Sequence, residues 1–382
     1  MNAPHNRLMI GGALAATVAL ALAGCGGDDA GGGETPAGNE IAVTATDTEC
    51  TLSKTDLTTG NYTFAVENKG TQVTEFYVYG PDDLIVGEVE NIAPGLSRKL
   101  TVPLKSGSYQ GTCKPGMVGD GIRQTLTVTG DDAAAADDAE LAAAVATYKQ
   151  YVATQADELV TLTGQFTEAV KKGDADEAKR LFPLAREPWE RIEPVAEIFG
   201  DLDPIIDGRE GDVPEGGEFT GFHKLEKDLW ETKDISKSGE MADKLLTDVK
   251  EIAEKAKGAE LTAAQVGNGA KELLDEVAST KMTGEEDEFS HTDLWDFNAN
   301  ISGAQQAIEA LRPVLAARDA AFLGTLDTAF KNVNDTLAQH RKGDGWKLHT
   351  ELTDADLKEL SDVINALAEP LSHVGAKVLP TQ

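Results

Sequence analysis

Apolar and polar residues alternate in short runs between Ile41 and Thr129: Ile41-Val43-Ala45, Tyr62-Phe64-Val66, Phe76-Val78, Leu100-Val102 and Leu126-Val128. A period of two puts the apolar members on one face of a strand. Turn signals separate the runs, among them Thr59-Gly60-Asn61, Lys69-Gly70, Gly80-Pro81-Asp82-Asp83, Pro94-Gly95 and Ser106-Gly107. This spacing predicts an antiparallel β-sandwich of about 90 residues over 41–130. An acidic, Ala-rich linker, DDAAAADDAE, follows at 131–140, and from 141 to 382 the apolar period becomes helical. Helices are predicted near 137–172, 175–199, 219–231, 239–257, 262–280, 292–318, 320–342 and 354–378. Amphipathic helices joined by short turns make a bundle, here one extended bundle or two stacked four-helix bundles. The predicted fold class is multidomain, β followed by all-α.

Ahead of the first strand, Arg7 precedes an uncharged apolar run from Leu8 to Gly24 that ends in Leu22-Ala23-Gly24-Cys25. A positive residue, a short apolar stretch and small residues before a cut describe an export signal. The run is short for a span of about 20 apolar residues. Cysteine directly after Leu-Ala-Gly resembles the lipobox of bacterial lipoproteins, with Cys25 as the lipidated residue. Residues 1–24 are therefore read as a lipoprotein signal peptide, and the Gly-, Asp- and Pro-rich 25–40 as a flexible tether. A membrane anchor or an unlipidated signal are the rival readings.

Composition narrows the partners. The 382 residues carry 34 Lys+Arg against 66 Asp+Glu, a formal charge of −32. Phosphate binding needs clustered cations, so nucleic acid is excluded as a partner, and an anionic lipid surface is disfavoured. A metal cation or a basic partner fits.

The β region offers Cys50, Glu75, Cys113 and Met117 as donors. In an exported chain two cysteines suit a disulfide. Alternatively, Cys113-Lys114-Pro115-Gly116-Met117 resembles a cupredoxin ligand loop. A standard blue-copper centre needs two imidazoles, and no histidine lies between Asn6 and Phe222. What remains is a mixed carboxylate and sulfur set, in which Glu75 suits ferric iron and sulfur suits Cu(I). Glu88 and Glu90 are expected to face solvent from a strand.

In the helical region, His223 and Glu226 stand at i and i+3 in Gly221-Phe222-His223-Lys224-Leu225-Glu226 and share a helix face. Upstream, Glu190, Glu193 and Glu197 stack at i, i+3 and i+7. They form either a solvated face paired with Arg186 and Arg191 or a cation site meeting His223. Asp243 is either a further oxygen donor or a surface acid. The run Glu285-Glu286-Asp287-Glu288 is expected to be an exposed loop, and His291 to pack or cap. His340, His349 and His373 lack paired spacing. H-E-x-x-H, G-x-S-x-G, Walker A and dinucleotide glycine motifs are all missing, which counts against hydrolase and nucleotide chemistry.

Read in order, Cys50-Thr51-Leu52-Ser53, Val73-Thr74-Glu75-Phe76-Tyr77, the 86–95 segment, Cys113-to-Met117, Glu190-Arg191-Ile192-Glu193-Pro194, Gly221-to-Glu226 and Ser290-to-Phe297 resemble the EfeO-type iron-uptake lipoprotein family. That resemblance covers the chain from about Ile41 onward. It implies a cupredoxin-like β-sandwich followed by an imelysin-like helical domain, whose G-x-H-x-x-E motif falls on Gly221, His223 and Glu226. It further implies β-domain ligands on Cys50, Glu75 and Cys113. The cargo would be iron, as Fe2+ or Fe3+, with copper or zinc as further ions. The partners would be a membrane iron permease and a haem-dependent peroxidase. The expected protein is a non-enzymatic, lipid-anchored iron carrier on the outer face of the cell membrane. A metallopeptidase using H-x-x-E and a polysaccharide-binding or interaction lipoprotein are the alternatives.

Overall fold

The alternating runs become two packed sheets in the computed structural model, which describes residues 39–131, 139–199, 202–213 and 216–379. The expected signal peptide, Cys25, nearly all of the tether and 132–138 of the linker lie outside the described residues. The strands are β1 (Glu40–Ala45), β2 (Cys50–Leu52), β3 (Asp56–Thr58), β4 (Gly60–Asn68), β5 (Thr74–Tyr79), β6 (Ile85–Ile92), β7 (Ser97–Leu104), β8 (Gly107–Pro115) and β9 (Ile122–Thr129). One sheet is ordered β2-β1-β4-β7 and the other β3-β9-β8-β5-β6. Along β1, Ile41, Val43 and Ala45 turn inward while Glu40 and Ala42 are exposed. Phe64, Val66, Phe76, Val78, Val102 and Leu126 fill the space between the sheets.

The expectation of a wholly antiparallel sandwich needs correction. β1 runs parallel to β4, and β3 parallel to β9. Alternation fixes which face of a strand is buried, but not the direction of its neighbour. A disulfide between Cys50 on β2 and Cys113 on β8 ties the two sheets together.

The helices are α1 (Ala139–Lys172), α2 (Ala175–Ala196), α3 (Asp203–Ile206), α4 (Gly221–Lys227), α5 (Gly239–Gly258), α6 (Ala263–Glu276), α7 (Asp293–Ala338), α8 (Asp354–Leu371) and α9 (Val374–Lys377). The two helices predicted at 292–318 and 320–342 are the halves of α7, broken at Asp319 (φ −155°, ψ 78°). One apolar cluster joins α1, α2, α4 and α5 through Phe166, Phe182, Trp189, Phe222 and Leu245. A second joins α6, α7 and α8 to the other end of α1 through Tyr148, Phe297, Ile301, Leu311 and Ile364. α2 serves both, giving Phe182 and Trp189 to the first and Ile192 and Val195 to the second. The polar centre is built where α2 passes from one cluster to the other. No described helix is long and apolar enough to cross a membrane.

The β domain rests on the helices through β6 and β7 against α6, where the Asn268 side chain donates to the Thr101 carbonyl at 3.1 Å. β5 is buried along its whole length, so the face turned away from the sandwich core is covered too.

Candidate metal centre

Backbone geometry sets the centre. α2 carries Pro183, Pro188 and Pro194 inside its span. Proline has no N–H to give the carbonyl four residues back. The Glu190 carbonyl freed by Pro194 is met instead by the Asn300 side chain of α7 at 2.9 Å. α4 opens on Gly221 at φ +82°, where a Cβ would lie 2.1 Å from the Ile206 carbonyl oxygen. Only glycine allows that approach, which seats α4 on the end of α3 and brings Asp207 beside His223.

His223 is 1 % exposed and surrounded by carboxylates. Its Nδ1 lies 3.0 Å from Glu226 Oε2 and 4.0 Å from Asp287 Oδ1. On the other side, Nε2 lies 3.5 Å from Asp207 Oδ1 and 3.7 Å from Glu286 Oε1. Glu226 is fixed by its second oxygen, which accepts from the Phe289 and Ser290 amides at 3.0 and 2.7 Å. Asp207, His223 and Glu286 offer donor atoms within 4.8 Å of one another, and so do His223, Glu226 and Asp287.

Two buried cations stand among these acids. Arg186, fully buried, donates to Asp296 at 3.1 Å, Glu286 at 2.9 Å and Glu190 at 2.5 Å, pairs closely with Asp207, and lies 3.5 Å from Asp287. Lys281, from the π-helical turn Val277–Lys281 after α6, lies 3.1 Å from Glu190, 3.7 Å from Glu286 and 3.8 Å from Glu193. Several buried atoms nevertheless lack a hydrogen-bond partner: His223 Nε2, Lys281 Nζ, Asp287 Oδ1, Asp293 Oδ2, Asp296 Oδ1 and Asn300 Oδ1. Buried polar atoms are rarely left so. Several of them, His223 Nε2, Asp287 Oδ1 and Asp296 Oδ1, cluster around the His223 ring and Arg186.

The titration pattern follows from this crowding. Burial, and then the Arg186 charge, push the His223 pKa down. The Glu226 hydrogen bond and the nearby Glu286 and Asp207 carboxylates outweigh them and raise it to about 10. Burial lifts the Asp287 and Asp296 carboxyls well above the usual range despite Arg186. Glu286 goes the other way: burial opposes its ionisation, but Lys281, the nearby His223 ring and Arg186 hold its pKa well below that range.

The residues singled out in the sequence part into groups. His223 and Glu226 are together, and Glu193 stands at the edge of the centre beside Lys281 and Asn300. Glu197 is not with them; it lies against Glu88 and Glu272 at the domain junction. Asp243 is remote, its side chain 63 % exposed on α5 and paired with Lys171 at 2.6 Å. The face of Glu190 and Glu193 is neither solvated nor a simple salt-bridged surface, because Arg186 and Glu190 are fully buried.

The mixed donor set of the β domain is not assembled. Cys50 and Cys113 are bonded to each other. Cys113 pairs in register with Phe76 and points into the sandwich, whereas Glu75, one residue along β5, points to the opposite face and bonds Tyr77 at 3.1 Å. Met117 is 41 % exposed in the loop beyond β8.

Glu88 does not face solvent but is buried, as are Glu286 and Asp287 of the expected exposed loop. Sequence reading also missed Asp207, Lys281 and Asp296 as members of the centre, and placed Arg186 only as the partner of a solvated face. A usable signal existed for Asp296. Glu190 shares the i, i+3 row with Glu193, and Asp293 and Asp296 repeat that spacing.

The chain matches the imelysin family model over residues 144–374 and the cupredoxin-like domain model over residues 13–128. The iron uptake system component EfeO of Escherichia coli O157:H7 is 39 % identical over 342 residues, which are 88 % of this chain and 90 % of that protein. The EfeO proteins of Escherichia coli K12 and Shigella flexneri match at the same identity over the same shares. Reduced auracyanin from Roseiflexus castenholzii, a solved structure, is 18 % identical with a TM-score of 0.20, covering 24 % of this chain and 98 % of that one. So slight a likeness carries no argument.

Proposed function

The chain belongs to the family of the iron uptake system component EfeO, and from that premise we propose that it is an exported, lipid-anchored carrier that binds iron at the His223 centre and passes it to a membrane permease. A haem-dependent peroxidase is the further partner in this reading. One observation carries it: the buried, unpartnered His223 Nε2 faces Asp207 and Glu286, while Glu226 and Asp287 face the other ring nitrogen. One imidazole among several carboxylate oxygens suits iron in either oxidation state. Copper and zinc are lesser candidates there. In the oxidised chain neither has thiolates to bind in the β domain, because Cys50 and Cys113 are bonded to each other.

Enclosure favours a carrier over a peptidase. His223, Glu226 and Asp287 are each at most 1 % exposed. A scissile peptide must reach the metal and its water, whereas an ion needs only a narrow path. Export is supported by the Arg7-to-Cys25 segment and by the disulfide, which persists in oxidising compartments.

The test is anaerobic titration of Fe2+, and separately of ferric citrate, into wild type and His223→Ala by calorimetry. Loss of an imidazole ligand should weaken binding by tenfold or more. Equal affinity in both proteins removes the central claim. Metal-dependent cleavage of casein that vanishes in Glu226→Gln would favour the peptidase instead.

A further inference from the structure

The acids at the domain junction take no part in the His223 centre. Glu88 comes from β6, Glu197 from the turn that ends α2, and Glu272 from α6. One carboxylate oxygen from each lies within 4.8 Å of the other two. Parts of the chain far apart in sequence, and belonging to both domains, thus converge on one point.

Glu88 adds a separate observation. It is 7 % exposed, and among the described residues neither a hydrogen bond nor an ion pair meets its carboxylate. An ionised carboxylate buried in this way is costly unless something pairs with it. The nearby lysines are engaged elsewhere. Lys114 stands 3.9 Å over the Tyr77 ring, Lys271 pairs with Asp275, and Lys281 belongs to the Glu190 group. Beside Glu88 and Glu272 lies a cavity of about 20 Å³, whose remaining lining is largely apolar, with Val195, Ile198, Leu261 and Val266. That is room for one small occupant.

We propose that Glu88, Glu197 and Glu272 form a second cation site, which takes a hard divalent ion through oxygen alone and bridges the β domain to the helical domain. Carboxylate oxygens without imidazole or sulfur suit hard ions such as Mg2+, Ca2+ and Mn2+. The bound ion fastens β6 to α2 and α6. The site shares no residue with the His223 centre and does not depend on the iron reading.

Mn2+ is titrated into the full chain as wild type, His223→Ala, Glu88→Gln and the double variant His223→Ala/Glu88→Gln. Bound ions are counted from the loss of the free Mn2+ signal in electron paramagnetic resonance. The expected result is an ion that survives His223→Ala and is lost, or held at least tenfold more weakly, in both chains carrying Glu88→Gln. An ion lost with His223→Ala belongs to the first centre, so failure of the iron reading and failure of this one are separately visible. Glu272→Gln, at a half-buried position, guards against misfolding at Glu88. Mn2+ should raise the thermal midpoint of His223→Ala but not of His223→Ala/Glu272→Gln. Equal Mn2+ binding with and without Glu88→Gln overturns the proposal, as does a junction that takes up protons but no Mn2+.

Discussion

Replacing Arg186 by Met tests the electrostatic account of the centre most directly. The guanidinium is fully buried and meets Asp207, Glu190, Glu286 and Asp296, with Asp287 3.5 Å away. Met keeps much of the volume and removes the charge. Deleting one partner of a buried ion pair costs about 3–5 kcal/mol, because the other charge is left uncompensated. At about 2–4 °C per kcal/mol, the apo variant should melt roughly 6–20 °C below wild type at pH 8. The loss should depend on pH with a definite sign. Without Arg186 the folded-state pKa values of Glu190, Asp287 and Asp296, already raised by burial, rise further above their unfolded values. Such groups contribute stability that is present at low pH and lost as pH rises through the folded pKa. The gap should therefore be small near pH 5, where the acids take up protons, and largest at pH 8. A divalent cation supplies the missing charge, so added Fe2+ should raise the melting point of Arg186→Met more than that of wild type. Scanning calorimetry at pH 5 and pH 8, in chelator and then with Fe2+ under anaerobic conditions, reads all three effects. A gap below about 2 °C at pH 8, or one that narrows as pH rises, refutes the reasoning.

Other perturbations follow from single contacts. Gly221→Ala forces a Cβ to within 2.1 Å of the Ile206 oxygen at φ +82°. It should cost about 1–3 kcal/mol in a denaturant melt and weaken iron binding by displacing His223; an unchanged melt with full binding would show that the tight approach is dispensable. The Cys50–Cys113 bridge closes a sequence separation of 63, worth about 4 kcal/mol in chain-entropy terms. Thiol titration of the denatured precursor should give one free thiol, Cys25, before reduction and three after it, and three in both states would contradict the bridge. Cys25→Ala should move the chain from the membrane fraction to the soluble fraction, and retention on membranes would sink the anchor.

Much of the architecture was legible because it is written in local periodicity. The alternating Ile41, Tyr62, Phe76, Leu100 and Leu126 runs are sandwich core, and the helices start and stop within a few residues of their predicted bounds. Strand direction was not legible, since β1 beside β4 is a matter of neighbours and not of pattern. The centre was half legible for the same reason. His223 and Glu226 share a helix turn, so spacing alone reveals them. Glu286 and Asp287 lie in an acidic run indistinguishable from a solvated loop until Arg186 and His223 are seen against it. Glu88 failed in a different way. Alternation correctly turned it away from the sandwich core, but nothing local says that a second domain covers that face. Asp243, read as either an oxygen donor or a surface acid, is the latter and points outward to Lys171.

The same residues invite a plainer reading as a structural ion-pair network, and what argues against it also bears on release. A network that exists for stability satisfies its buried polar atoms. Here His223 Nε2, Asp287 Oδ1 and Asp296 Oδ1 are unsatisfied although Arg186 and Lys281 are at hand. The oxygens that face His223 Nε2, Asp207 Oδ1 and Glu286 Oε1, are also the ones Arg186 holds. On the proposed reading, ion and guanidinium therefore compete for common donors. Arg186 holds the crowded acids together, and by the same bonds it lowers the net gain when an ion enters. A storage site would gain nothing from such competition. A carrier must surrender its cargo to the next protein, and a fixed internal cation sharing the ligand oxygens keeps affinity below what those carboxylates would reach alone. Arg186→Met should thus bind iron more tightly and release it more slowly to a chelator, the opposite of what removing a purely structural arginine would do.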